Sequence, residues 1–196
     1  GYFDKALADL DQCLQIDPAY LNCMQHRGRV LLFMGETEAA LDVLRHTAYA
    51  NFHSVDEIFV SALVREGNSL AAVYLASLVL AKYAPYGPAG EWVKALENPG
   101  ADHSEGLAKF KRWTKENKVN EIQAIPQVMA IMGDFDTATH SGAAMPYVYW
   151  DEALRPYRQS KLFKEFAQIN GIDVYWRKKG FPPMCRELDD NDYVCD

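Results

Sequence analysis

The side chains able to do covalent or metal chemistry are few and scattered in this 196-residue chain. Its five histidines, His26, His46, His53, His103 and His140, have neither ligand spacing nor a nucleophile beside them. The run Asp189-Asp190-Asn191-Asp192 offers oxygens of the kind calcium prefers. It lacks the glycine and distal glutamate of an EF-hand loop, so a solvated turn is the stronger reading. The sequence contains no Gly-x-Ser-x-Gly elbow, phosphate-cradling loop or His-Glu-x-x-His, and no convincing pair of carboxylates. The expectation is a protein that binds rather than catalyses, without cofactor or metal.

Four cysteines are too few for a disulfide-rich scaffold. Cys13 falls at a small, inward-facing position of the first expected helix and Cys23 on the next, so both are expected as buried free thiols. Cys185 and Cys195 instead flank a short acidic loop. A bridge closing that loop fits an oxidising compartment, and two free thiols fit a reducing one. A formal charge of −7 argues against a grip on nucleic-acid phosphates, and the basic cluster Lys109, Lys111, Arg112, Lys115 and Lys118 reads as a solvated helix face. The apolar run from Leu70 to Ala81 is too short to span a membrane.

The elements that hold these residues are helical. Phe3, Ala6, Leu7, Leu10, Cys13 and Leu14 recur at three- and four-residue steps, predicting a helix over 3–16 that Asp17-Pro18 ends. Helices are likewise predicted over 19–34, 36–50, 55–65 with Ser54 as cap, 69–83, 89–97, 104–117 with Ser104 as cap, 120–132 and 159–170. Gly28, inside the second, predicts a close approach by a neighbouring helix. Pro126 should kink or delay the helix that contains it. Asn170-Gly171 supplies a stop, and the tail 173–196, with Tyr175, Trp176 and Phe181, is expected as a loop-rich cap.

These helices recur with a period. Gly1, Gly35, Gly67 and Gly133 are each followed five residues later by alanine, the first two 34 residues apart, and Gly100 keeps the same step. Residues 1–48 resemble tetratricopeptide repeats, with Gly1, Phe3, Ala6, Leu10, Cys13, Leu14 and Pro18 matching one helix of the motif and Gly28, Gly35 and Ala40 its small positions. Thr47 and Arg27 depart from it. Gly1 would then open at the second half of a unit, which marks the chain as a fragment of something larger. The fold expected is an all-α solenoid of four to five helical hairpins over 1–142, closed by a terminal helix and aromatic cap over 143–196.

From Tyr149-Trp150-Asp151 through Leu154-Arg155-Pro156, Tyr175-Trp176-Arg177 and Gly180-Phe181-Pro182-Pro183-Met184-Cys185, the chain resembles the close of repeat regions in bacterial signalling proteins. Those carry either a winged-helix regulator of the CadC and ToxR type or a class III nucleotide cyclase as output domain. The resemblance implies a protein or peptide partner, held in a groove lined by the first helix of each unit. Alignment on Gly35 and Gly67 sets Asn22, Gln25 and Arg29 on one helix face and Glu57, Ser61 and Arg65 on the next, with Arg29 or Arg65 as anchor for a carboxylate. The bland reading is that these are solvated polar positions. Tyr147, Tyr149 and Trp150 are expected to pack the cap rather than form a pocket. Two other functions stay open: a small-molecule or pH sensor, and a segment that pairs output domains. The compartment stays open between cytoplasmic and, if a membrane span lies upstream, periplasmic.

Overall fold

The computed structural model describes residues 2–50, 57–119, 124–141, 149–189 and 192–196. The described chain is mostly helical and divides into two compact units, 2–93 and 94–196. The division expected at 142 falls outside the described residues, as do Ser54, His53, Tyr147, Asp190 and Asn191.

The first unit holds α1 (Phe3–Ile16), α2 (Leu21–Phe33), α3 (Thr37–Ala50), α4 (Glu57–Arg65) and α5 (Ser69–Ala81), and α6 (Ala89–Glu97) spans the division. Each of α2 to α5 packs on the one before it. Asp17 stops α1 by accepting the Ala19 N–H on its side chain, 3.0 Å, which opens the turn that Pro18 fixes. Gly28 has the predicted role. A Cβ there would stand 2.9 Å from the Leu44 side chain, so the missing side chain is what lets α2 and α3 close.

The ends of α2 and α4 are built alike. Gly35 N–H donates to Leu32 O and Glu36 N–H to Leu31 O, at 3.1 and 3.0 Å. Gly67 and Asn68 repeat this pair on Val64 and Leu63, both at 2.9 Å. In the second unit Gly133 and Asp134 do so on Ala130 and Met129, again at 2.9 Å. This is the Schellman corner, whose central residue must take a left-handed φ; the three glycines have φ of 87°, 82° and 97°. Five residues after each glycine stand Ala40, Ala72 and Ala138, and all three are 0% exposed. Sequence period, backbone corner and buried contact therefore coincide three times.

The second unit contains α7 (Ser104–Asn117), α8 (Ala124–Ile131), α9 (Phe135–His140), a 3-10 turn (Glu152–Leu154), α10 (Arg155–Arg158), α11 (Lys161–Ile169) and α12 (Ile172–Lys179). Pro126 sits in the first turn of α8, where its absent N–H costs nothing. Ser104 does not cap α7: it is the first residue of the helix, after His103 at the N-cap, and the Asp102 side chain accepts its N–H at 2.9 Å. The tail is more ordered than expected: α12 leads into an antiparallel hairpin of β1 (Cys185–Asp189) and β2 (Asp192–Cys195), with Cys185 opposite Cys195.

Aromatic rings fill this unit. Tyr149 lies 5.0 Å from Tyr157 and 4.9 Å from Phe166, and its hydroxyl donates to Ala138 O at 2.9 Å. Burial raises both phenols, Tyr157 up to about 12, so both stay neutral. A second cluster joins Trp176 to Trp150, Phe181 and Tyr193.

Candidate functional site

The first three helices line an open cleft in the first unit. Its wall comprises Leu14 from α1, Met24 and Arg27 from α2, and Asp42, Val43 and His46 from α3, around a volume of about 380 Å³. Two restraints fix the wall. Cys13 and Cys23 are joined by a disulfide that ties α1 to α2, and the Gly28–Leu44 approach ties α2 to α3. The expectation of free thiols is thus corrected. An antiparallel pair brings together residues equidistant from its turn, and these two cysteines lie five residues either side of Pro18.

The floor of the cleft is apolar and its rim charged. Arg27 Nε donates to Asp11 Oδ1 at 2.8 Å, and Asp42 accepts from Arg45 at 3.4 Å. Arg45 also reaches Glu66 at 2.9 Å, carrying the rim towards α4. Rim groups held this way present both charge signs around an apolar socket. The lining residues Leu14, Met24, Arg27, Asp42, Val43 and His46 do not assemble a nucleophile, base and orienter.

The six residues expected in a groove lie elsewhere. At about 100° per residue, Asn22, Gln25 and Arg29 are on the side of α2 away from Met24 and Arg27. Asn22 is exposed and Gln25 half-buried, whereas Arg29 is buried, its Nη1 3.3 Å from His26 Nδ1. Ser61 is buried and Glu57 half-buried. Arg65 donates to Leu32 O at 2.6 Å, across 33 residues. That carbonyl lies in the last turn of α2, so the guanidinium serves as a C-terminal helix cap between successive corners.

The remaining chemistry-bearing residues are engaged in structure. Cys185 and Cys195 form the second disulfide, closing the hairpin. His140 is held between two carboxylates, Asp136 at 3.3 Å on its own helix and Glu165 at 3.0 Å on α11. The Glu165 hydrogen bond raises the imidazole pKa above its ordinary value, against a small opposing effect of desolvation and with help from Asp136. Asp134 is desolvated, which works against ionisation, but hydrogen bonds from Lys111 and Thr137 outweigh this and hold its carboxyl low. Asp192 pairs with Lys164. Among the described residues no group of three or more His, Cys, Asp or Glu side chains is arranged to hold a metal.

Arg158 was not singled out by its sequence context, yet it organises the end of the second unit. Only 1% exposed, it donates from Nη1 to Tyr149 O at 2.8 Å and to Asp151 O at 2.6 Å, and from Nε to Asp196 O at 2.7 Å. A smaller cavity of about 240 Å³ in the same unit is lined largely by small residues, including Gly100, Ala130, Gly133 and Ala153. No helix among the described residues is long and apolar enough to cross a membrane. No family model, curated protein or solved structure matches this chain.

Proposed function

We propose that this chain is a tetratricopeptide-like recognition module that binds a polypeptide segment through the cleft of α1, α2 and α3. The observation that carries the reading is the threefold recurrence of one corner, glycine with left-handed φ, paired hydrogen bonds and a sealed alanine five residues on. Repeated helical hairpins bury their faces against one another and leave extended surfaces for partners. The cleft adds an apolar socket of side-chain size, with Arg27, Asp42 and His46 around it. The groove on the opposite side of α2 is the weaker site, because Arg29 and Ser61 are buried and Arg65 is bonded to Leu32. The resemblance of 149–196 to bacterial signalling proteins supports a place within a larger regulatory protein.

Selection of peptides from a displayed library, followed by affinity measurement on the Val43→Arg variant, tests this. Val43 is half-buried on the cleft wall, so the substitution fills the socket with charge at little cost to the fold. The expected result is apolar-anchored peptides whose affinity falls at least tenfold in the variant. Peptides that bind Val43→Arg as well as the parent would remove the cleft from the account.

A second reading, pH sensing, is favoured by His140 between Asp136 and Glu165, a clasp between α9 and α11.

A further inference from the structure

We infer that α5 is a self-association surface on which a second copy of this chain packs antiparallel, its own α5 against ours. The helix contains no charged residue over Ser69–Ala81, and a helix apolar all round is normally covered on all sides. Ala72, Leu75, Ala76, Val79 and Leu80 face the core. The opposite face is open: Leu70 is 85% and Tyr74 68% exposed, and Ser77 and Ala81 continue the stripe. These four fall within one narrow sector, at steps of four, three and four residues.

Their order is self-complementary. A two-fold axis midway between Tyr74 and Ser77 is also midway between Leu70 and Ala81. It sets the bulky Leu70 of one copy on the small Ala81 of the other, and Tyr74 on Ser77, twice over, as an isologous contact demands. The small residues let the helices approach while the large ones fill the space between them. A parallel arrangement would instead set Tyr74 against Tyr74 and leave a gap at Ala81. The helix dipoles are opposed in the antiparallel arrangement. α5 contributes no residue to the cleft, so this surface is independent of the binding reading.

One helix pair buries less than the roughly 1,200 Å² total of a standard specific interface, so the dimer exchanges rapidly and depends on concentration. Sedimentation velocity across a wide range of loading tests the inference. The expected result is a weight-average mass rising from that of the 22.2 kDa chain towards its double. Tyr74→Lys and Ser77→Arg, both at exposed positions, should each hold the protein monomeric with an unchanged thermal unfolding curve. Leu70→Ala should weaken the dimer, and the swap Leu70→Ala with Ala81→Leu should restore it, because large again meets small. A wild-type chain that stays monomeric at every loading overturns the proposal. So does a dimer indifferent to Tyr74→Lys, or a swap no better than Leu70→Ala alone.

Discussion

At the residue scale, the corner glycines make the sharpest statement. A Cβ built on Gly35, Gly67 or Gly133 meets nothing within 4 Å, so replacement by alanine is penalised by the left-handed backbone and not by crowding. Each substitution should lower unfolding stability by about 1–2 kcal/mol, and by similar amounts at all three sites. Urea titration of the three variants checks this; a large effect at one site with none at the others would mean the corners are not equivalent. Lys118 gives the converse. It ends α7 at φ 56° with the same pair of bonds, its own N–H to Lys115 O and the Val119 N–H to Thr114 O. Lys118→Gly should therefore raise stability by about 0.5–1 kcal/mol. Nothing in a lysine side chain announces a corner, which is why this one was invisible in the sequence while the glycine corners were legible.

Asp134 belongs to the same scale. It accepts the Thr137 N–H at the start of α9 and pairs with Lys111 at 2.8 Å. Asp134→Ala should cost about 1–2 kcal/mol by chemical denaturation. Since the fold lowers its pKa, its contribution is present above the ordinary carboxyl value and is lost as pH falls through the lowered one. A wild-type advantage over Asp134→Ala that persisted at the most acid pH would contradict the pairing.

Among the elements, helices α1, α6 and α7 begin and end where apolar period and breakers place them, because proline, glycine and capping acids act locally. What local pattern does not carry is the meeting of side chains across elements. The Cys13–Cys23 bridge depends on the symmetry of the two cysteines about Pro18, a relation between two helices and not a pattern within one. Arg65 needed the carbonyl of Leu32, which only packing brings within reach. Arg158 needed three main-chain oxygens converging from the turns at 149 and 151 and the end of β2. Replacing both Cys13 and Cys23 by alanine should lower stability by about 2–3 kcal/mol for a loop this short, and thiol reductant should cost the parent more than the variant, which keeps only the Cys185–Cys195 bridge.

The His140 clasp is also an element-scale device, since it joins α9 to α11. A folded pKa above the ordinary imidazole value means that the charged form is favoured by folding. The contribution is complete below about 6.5 and is lost as pH rises through the raised value. An NMR titration should find the His140 midpoint above that of a model imidazole and moved down by Glu165→Gln. An ordinary midpoint in the parent would dissolve the clasp, and with it the ground for pH sensing.

For the whole molecule, many polar side chains among the described residues are engaged on helix corners, caps and main-chain carbonyls, while the cleft of α1 to α3 and the outer face of α5 stay open. The helices and their three glycine corners showed through the sequence because apolar period and left-handed backbone act locally. The site did not, because a cleft between three helices draws Leu14, Met24, Val43 and His46 from positions with no shared motif. Hydrogen–deuterium exchange of the intact chain, with and without a selected peptide, tests the binding claim most directly. The account predicts slowed exchange confined to α1, α2 and α3, around Leu14, Met24 and Val43. Protection confined to the aromatic unit of 149–196, with those three helices unchanged, would contradict it.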